Sequence, residues 1–272
     1  MTHQSAVFDK KRNPLQAAGS FLVVVVMNLV MFPLIVLMTV MGIVLFPICF
    51  ISGKIATGWQ NDRVMRYFVW VYGRAWMIIM SPFVRFKRTG LTRGSIDMPC
   101  IIVINHLSFF DTYCMALLPI SDIAFAVRSW PFKKLFWYRP FMRLANYLDL
   151  EAIGWEGTLR DSRRVFERKG AILVFPEGHR SGDGKVQRFY SGPFRLAIET
   201  GVPIVPLCIT GTDVLLPPHR WWMMPATVCL SALAPVDPRE FMGDGETAHI
   251  NLRKHVRKII AEQVEKMRKE AL

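Results

Sequence analysis

The sequence predicts an α/β layer fold preceded by membrane-associated helices. Five short apolar runs rich in Val and Ile, at residues 100–104, 123–127, 171–175, 204–209 and 227–233, have the length and β-branched content of buried strands. Helix-like segments, including 158–168 and 194–199, fall between them, and strands alternating with helices give a layered α/β sheet. Ahead of both lies an almost wholly apolar stretch at 21–51, and 52% of the 272 residues are hydrophobic, more than a soluble fold of this size needs.

Taken in order, residues 1–19 form a tail with the basic cluster Lys10, Lys11 and Arg12. In the run that follows, Asn28 is the only strongly polar side chain. The run is far longer than the roughly 7 to 15 residues of a signal-peptide core and lacks a small-residue cleavage site. At about 1.5 Å per residue it also exceeds one straight span of a ~30 Å hydrocarbon core. Pro33 and Pro47 offer places to bend, and Lys54, Arg63, Arg66 and Arg74 follow the run, so that cations flank both ends. The positive-inside bias then holds both ends on the cytoplasmic side. The expectation is a bent helical pair dipping into one leaflet, with a single span as its rival. Residues 64–86 are apolar and aromatic but interrupted by Arg66, Arg74 and Arg85. They read either as a helix lying in the interface with its cations among headgroups or as a core helix with one solvated edge.

Residues 20–86 thus form a membrane-associated helical segment and 87–246 the α/β domain. Residues 247–272 form a C-terminal amphipathic helix, because Val256, Ile259, Ile260, Val264 and Met267 recur at helical spacing. This helix is expected to pack on its own domain, with a basic membrane-binding face as the second reading.

A formal charge of +13 suits nucleic acid, an anionic bilayer surface or a phosphorylated substrate. Residues 130–139 mix Trp, Phe and Tyr with Lys and Arg, and 217–224 read either as a second loop of that kind or as a proline-rich connection with its tryptophans packed inward. Such a mixture fits a headgroup boundary or a stacked single strand. The long apolar run decides for the bilayer, and no nucleic-acid partner is expected. Five scattered cysteines, an odd number with no Cys-x-x-Cys pair, read as buried thiols in a reducing compartment. No metal site and no bound cofactor are expected.

The chemistry is concentrated at two strand ends. Residues 105–111, Asn-His-Leu-Ser-Phe-Phe-Asp, directly follow the strand at 100–104. The carboxyl ends of strands are where α/β sheets build sites. His106 is the one residue of the cluster able to exchange a proton near neutral pH, which suits a general base. Asp111 on the other ring nitrogen would set the tautomer and stabilise the imidazolium, as in a hydrolase triad, except that the attacking oxygen belongs to the substrate. Five residues apart, the pair cannot share a helical face, so His106 must sit in the turn ahead of the helix that carries Asp111.

Residues 175–181, Phe-Pro-Glu-Gly-His-Arg-Ser, end the strand at 171–175. Glu177 is expected to accept a bond from an acceptor hydroxyl and Arg180 to hold a phosphate or carboxylate as a planar fork. Backbone amides of the turn are available to an oxyanion.

These residues resemble the glycerolipid acyltransferase family, to which bacterial 1-acylglycerol-3-phosphate acyltransferase belongs, over roughly residues 86–233. The family's Asn-His-x4-Asp block is supplied by Asn105, His106 and Asp111, and its Phe-Pro-Glu-Gly block by residues 175–178. Arg180 and Ser181 match the usual Arg-Ser continuation, and residues 202–207 match a proline-edged fourth block. The resemblance implies a glycerol-3-phosphate-acyltransferase-like αβ catalytic domain at 87–246, with His106 and Asp111 catalytic. It also implies a substrate-binding set of Asn105, Ser108, Glu177, Gly178, Arg180 and Ser181. Its reaction would move a fatty acyl group from acyl-CoA or acyl carrier protein, at the cytoplasmic face of a membrane (the inner membrane in a bacterium), onto a lysolipid hydroxyl. 1-Acylglycerol-3-phosphate is the acceptor that the resemblance favours.

Two departures bear on that acceptor. The family's second block ends in Asp-Arg, whereas Leu150 follows Asp149 here, and a Phe-Lys-x-Gly pattern is replaced by Phe189-Tyr190-Ser191-Gly192. A lost charge-assisted bond to phosphate costs on the order of 1.5 to 3 kcal/mol unless replaced. Arg128, Arg180, Lys185 and Arg188 are the candidate replacements, and an acceptor without phosphate is the alternative. A thioesterase using water, or a non-catalytic lipid-binding scaffold, would share the same layout.

Overall fold

The computed structural model describes residues 14–270. Helices α1 (Pro14–Thr57) and α2 (Asn61–Met80) lead into β1 (Val84–Thr89) and β2 (Cys100–Ile104). Then come α3 (Asp111–Cys114), β3 (Ile123–Val127), α4 (Ser129–Lys134), α5 (Arg139–Leu144), β4 (Leu148–Asp149) and α6 (Leu150–Glu167). The chain continues through β5 (Ala171–Val174), α7 (Gly192–Thr200), β6 (Ile204–Thr210), α8 (Thr212–Leu215), β7 (Ala226–Ala232) and α9 (Ala248–Glu270). The strands form one sheet in the order β1-β7-β6-β2-β5-β3-β4, parallel throughout except where β6 meets β7.

Continuous apolar runs are what a strand covered on both faces requires, and β2 illustrates it. Cys100, Ile102 and Ile104 point into a core shared with Met27 and Met31 of α1 and Trp76, Met77 and Met80 of α2. Ile101 and Val103 point into a second core with Val165 and Phe166 of α6, Phe194 and Leu196 of α7, and Leu252 and Val256 of α9. The sheet is therefore the middle of three layers. As expected, α9 packs on its own domain, burying Leu252, Val256, Ile260, Val264 and Met267.

The expected helical pair at the N-terminus is corrected to a single helix. Pro33 and Pro47 both lie inside α1, since each proline removes one ladder hydrogen bond while the flanking turns keep theirs. At 1.5 Å per residue α1 is about 66 Å long. Among the described residues it is the one helix long and apolar enough to cross a membrane by length and composition. One side of it is held by the domain: Met27 and Met31 are buried, Leu34, Ile35 and Met38 pack beside them, and Phe46 meets Phe68 of α2 and Phe141 of α5. The other side exposes apolar residues such as Leu29, Val36, Val40 and Val44. The basic cluster at 10–12 lies outside the described residues.

Of the two readings of residues 64–86, the core helix is the one observed. Arg66 is not among headgroups but buried, with Nη1 2.9 Å from Asp122, Nη2 3.4 Å from Asp62, and Nε donating to the Ala145 carbonyl. Arg66→Ala leaves Asp122 with only Arg63 at 3.7 Å and Asp62 with Arg168 at 3.3 Å, and is expected to cost about 1 to 3 kcal/mol of stability, read from denaturant unfolding in detergent. The sheet also contains a strand that the sequence reading did not include, β1 at Val84–Thr89. It escaped the sequence reading because Arg85, Lys87 and Arg88 interrupt it on an exposed sheet edge, where no apolar run is needed.

All five cysteines are free, with Cys100, Cys114 and Cys208 buried, Cys229 half-buried and Cys49 exposed on α1. Burial pushes the Cys100 and Cys208 thiols up to about 12 and the Cys114 thiol well above its ordinary value. N-ethylmaleimide at pH 7 is therefore expected to modify Cys49, and Cys229 more slowly, in the folded protein. Mass spectrometry should find the other three labelled only after denaturation.

Candidate active site

The two motifs meet because of strand order. β2 and β5 are parallel neighbours with Val103 opposite Val174, so residues 105–110 and 175–181 leave the sheet side by side at its carboxyl edge. The His106 ring stacks on Phe175 with centroids 4.1 Å apart. The Ser181 amide donates to the His106 carbonyl at 2.8 Å.

His106 does occupy the turn before a helix, and Asp111 is the first residue of that helix, α3. Asp111 is buried, and its Oδ2 lies 2.8 Å from His106 Nδ1. The same oxygen accepts from the Leu107 amide at 2.6 Å and the Ser108 amide at 2.9 Å. In the neutral ring, donation from Nδ1 to this oxygen puts the lone pair on Nε2. The histidine side chain is 16% exposed. A ring fixed by a buried acid at one nitrogen and open at the other is the geometry of a general base.

The other expected substrate-binding residues divide sharply. Asn105 is buried, and its side chain pairs with the backbone of Ile209 in β6, donating at 2.9 Å and accepting at 2.8 Å. Ser108 donates to the Leu216 carbonyl at 2.6 Å. Glu177 is buried, and its two oxygens accept from the amides of His106 (2.8 Å) and Gln187 (2.9 Å). Burial pushes this carboxyl above its usual range, against the opposing pull of those amides and the nearby imidazole. Ser181 hydrogen bonds to Asp183 and Gln187 inside the same turn. All four are committed to the scaffold because a sharp loop at a strand end leaves buried amides and carbonyls that only side chains can satisfy.

Gly178 has a left-handed backbone with φ of 70°, and a Cβ there would stand 2.8 Å from the Tyr190 ring. Gly178→Ala is expected to cost about 1 to 2 kcal/mol, visible as a lowered Tm. Arg180 is exposed and without an ion-pair or hydrogen-bond partner among the described residues, so it is free to meet an anion. Arg128 is engaged by Glu151, with Nε 2.6 Å from Oε1. Leu150 begins α6 half-buried against the core, and Asp149 before it caps that helix through the Ala152 amide. Among the described residues no three His, Cys, Asp or Glu side chains group as metal ligands.

Sequence reasoning missed Gln187. Its amide holds Glu177, and its side chain braces Ser181, Asp183 and the Lys185 carbonyl. A lone glutamine outside the motif blocks gives no signal in one sequence.

The Acyltransferase family model matches residues 84–210, from the first strand to the end of β6. Residues 84–210 are an Acyltransferase family domain. A chloroplastic 1-acyl-sn-glycerol-3-phosphate acyltransferase of Brassica napus is 31% identical over 57% of this chain and 46% of its own length. The 1-acyl-sn-glycerol-3-phosphate acyltransferase of Salmonella typhimurium is 32% identical over 38% of this chain and 40% of its own. The chain spans about half the length of the curated relatives it matches. The crystal structure of the 1-acyl-sn-glycerophosphate acyltransferase PlsC from Thermotoga maritima superposes with a TM-score of 0.63 at 27% identity, over 86% of this chain and 95% of that one. The acyltransferase resemblance read from the motifs and the α/β fold class are both borne out.

Proposed function

We propose that the protein is a membrane-bound O-acyltransferase moving a fatty acyl group from acyl-CoA or acyl carrier protein to a lysolipid hydroxyl, with 1-acylglycerol-3-phosphate as acceptor. The observation that carries this reading is the His106–Asp111 pair, fixed at Nδ1 and open at Nε2, at the carboxyl edge of an Acyltransferase family sheet. Nε2 takes the proton from the acceptor hydroxyl as its oxygen attacks the thioester carbonyl. The tetrahedral intermediate collapses, the carbon–sulfur bond breaks, and the imidazolium returns the proton to the departing thiolate. The excess of Lys and Arg attracts an acidic carrier or an anionic headgroup, and Arg180 is a free cation beside the site.

Membrane attachment at the cytoplasmic face rests on α1. The helix is held against the domain at Met27, Met31 and Phe46 while its other side is apolar and exposed. That arrangement favours a helix laid into one leaflet beside the domain over one standing clear of it.

One observation favours a second acceptor class. Leu150 stands where the family carries arginine, and the neighbouring Glu151 engages Arg128, which suits a headgroup without phosphate. Both readings are tested by one assay in mild detergent: free-thiol release from acyl-CoA and from acyl carrier protein, with and without a panel of phosphate-bearing and phosphate-free lysolipids. Release that depends on 1-acylglycerol-3-phosphate is the expected result. Release only with a phosphate-free lysolipid moves the assignment to that acceptor, and release without any acceptor makes the protein a thioesterase.

A further inference from the structure

The segment between α8 and β7 is built to present two indoles outward. Trp221 is 88% exposed and Trp222 53%, yet the backbone that carries them is firmly held. The Arg220 guanidinium donates to the carbonyls of Val214, Leu215 and Trp222. The Met224 amide donates to the Leu215 carbonyl. Between them Met223 is buried in the same core as Met27 and Met31 of α1. Trp222 meets the Arg220 guanidinium 6.0 Å from its ring centre, and the remaining indole surface on this rigid loop faces water, which fits a boundary that is apolar on one side and wet on the other.

What the loop is tied to identifies that boundary. Asn28, the lone strongly polar side chain of the apolar run, donates to the Met223 carbonyl at 2.9 Å and accepts from the Met223 amide at 2.8 Å. A third bond to the Val24 carbonyl completes its amide. The polar residue of α1 is thus a clasp that grips the tryptophan loop by its backbone. On the same turns of α1, Leu22, Val26 and Leu29 are exposed. The loop's other end reaches the active site, where Ser108, two residues from His106, donates to the Leu216 carbonyl.

We infer that Trp221 and Trp222 form a second membrane contact, seated in the headgroup layer of a phospholipid bilayer at the depth where Asn28 lies. Through Met223 and Leu216 this contact sets the height of the His106 loop above the lipid surface. The occupant is the bilayer interface rather than a protein, because the surface is continuous with α1 through a direct hydrogen-bonded clasp. Because the Arg220 guanidinium is occupied by backbone carbonyls, the contact is made by indoles and holds on zwitterionic lipid as well as on anionic lipid. The inference rests on the reading of α1 as a membrane-seated helix.

The test uses the full chain reconstituted in phosphatidylcholine vesicles with and without brominated acyl chains, which quench nearby indoles. The emission of the pair is obtained by subtracting the spectrum of the W221F/W222F variant, since the chain has eight tryptophans. A reporter on α1, Val40→Trp, at an exposed position, is measured in the W221F/W222F background. The expected result is loss of on the order of half of the pair's emission in brominated vesicles, alongside quenching of the reporter. A quenched reporter with an unquenched pair that aqueous acrylamide reaches overturns the second contact and leaves α1 in the membrane. If neither is quenched, the membrane seat of α1 fails and the inference fails with it.

Discussion

Replacing His106 by alanine is expected to lower acceptor-dependent thiol release by a factor of about 10² to 10⁴, the range of a positioned general base, while leaving the unfolding midpoint nearly unchanged. The structure explains both halves of that expectation. The ring makes its one side-chain hydrogen bond to Asp111 and stacks on Phe175, whereas the interactions that hold the loop are made by His106 backbone atoms, which alanine keeps. Asp111→Asn is the sharper variant. The carboxylate Oδ2 accepts from the imidazole and from two amides, so an amide oxygen kept toward the Leu107 and Ser108 amides preserves the turn. The neutral group no longer stabilises the imidazolium as it forms. A comparable fall in kcat is expected, with KM for the acyl donor little changed. Unchanged turnover in both variants would sink the general-base assignment, whereas loss of folding in Asp111→Asn alone would show only that the turn needs the charge.

How much of this was legible in the sequence follows from which physical requirement each residue serves. β2, β3 and β6 announced themselves because strands covered on both faces must be apolar at every position, and 100–104 and 123–127 match the observed strands at both ends. β1 did not, because an exposed edge strand tolerates the alternating cations Arg85 and Lys87. The placement of His106 ahead of α3 was legible from helix geometry alone, since a five-residue spacing cannot keep two side chains on one face. Residue roles were harder to read. Asn105, Ser108, Glu177 and Ser181 are polar residues beside a reactive histidine, and their type is the same whether they grip a substrate or a buried amide. Only the partner decides, and Glu177, Asn105 and Ser108 each have a partner 71 to 108 positions away. Likewise the headgroup and core-helix readings of the segment around Arg66 stayed open because Asp122, which decides between them, lies 56 positions away.

That difference between gripping substrate and gripping backbone gives the second large effect. Asn105→Ala strips the partner from both the amide and the carbonyl of Ile209, deep in β6 where no water reaches. Two buried polar groups left unpaired are expected to cost about 2 to 5 kcal/mol, enough to unfold a marginal domain. Glu177→Gln is the more discriminating change. Both carboxylate oxygens accept from backbone amides, so one end of the new side chain must turn an NH₂ toward an N–H donor. One bond is lost and a repulsion gained, about 1 to 3 kcal/mol, even though the variant removes a charge whose burial is unfavourable. If Glu177 is a clamp, the variant lowers the denaturation midpoint and kcat together, because the His106 amide and the Gln187 strap lose their common anchor, and KM for the acceptor stays put. If Glu177 instead meets the acceptor hydroxyl, stability is retained and acceptor KM rises. Measuring unfolding and acceptor titration on the same preparation separates the two, and the geometry commits to the first.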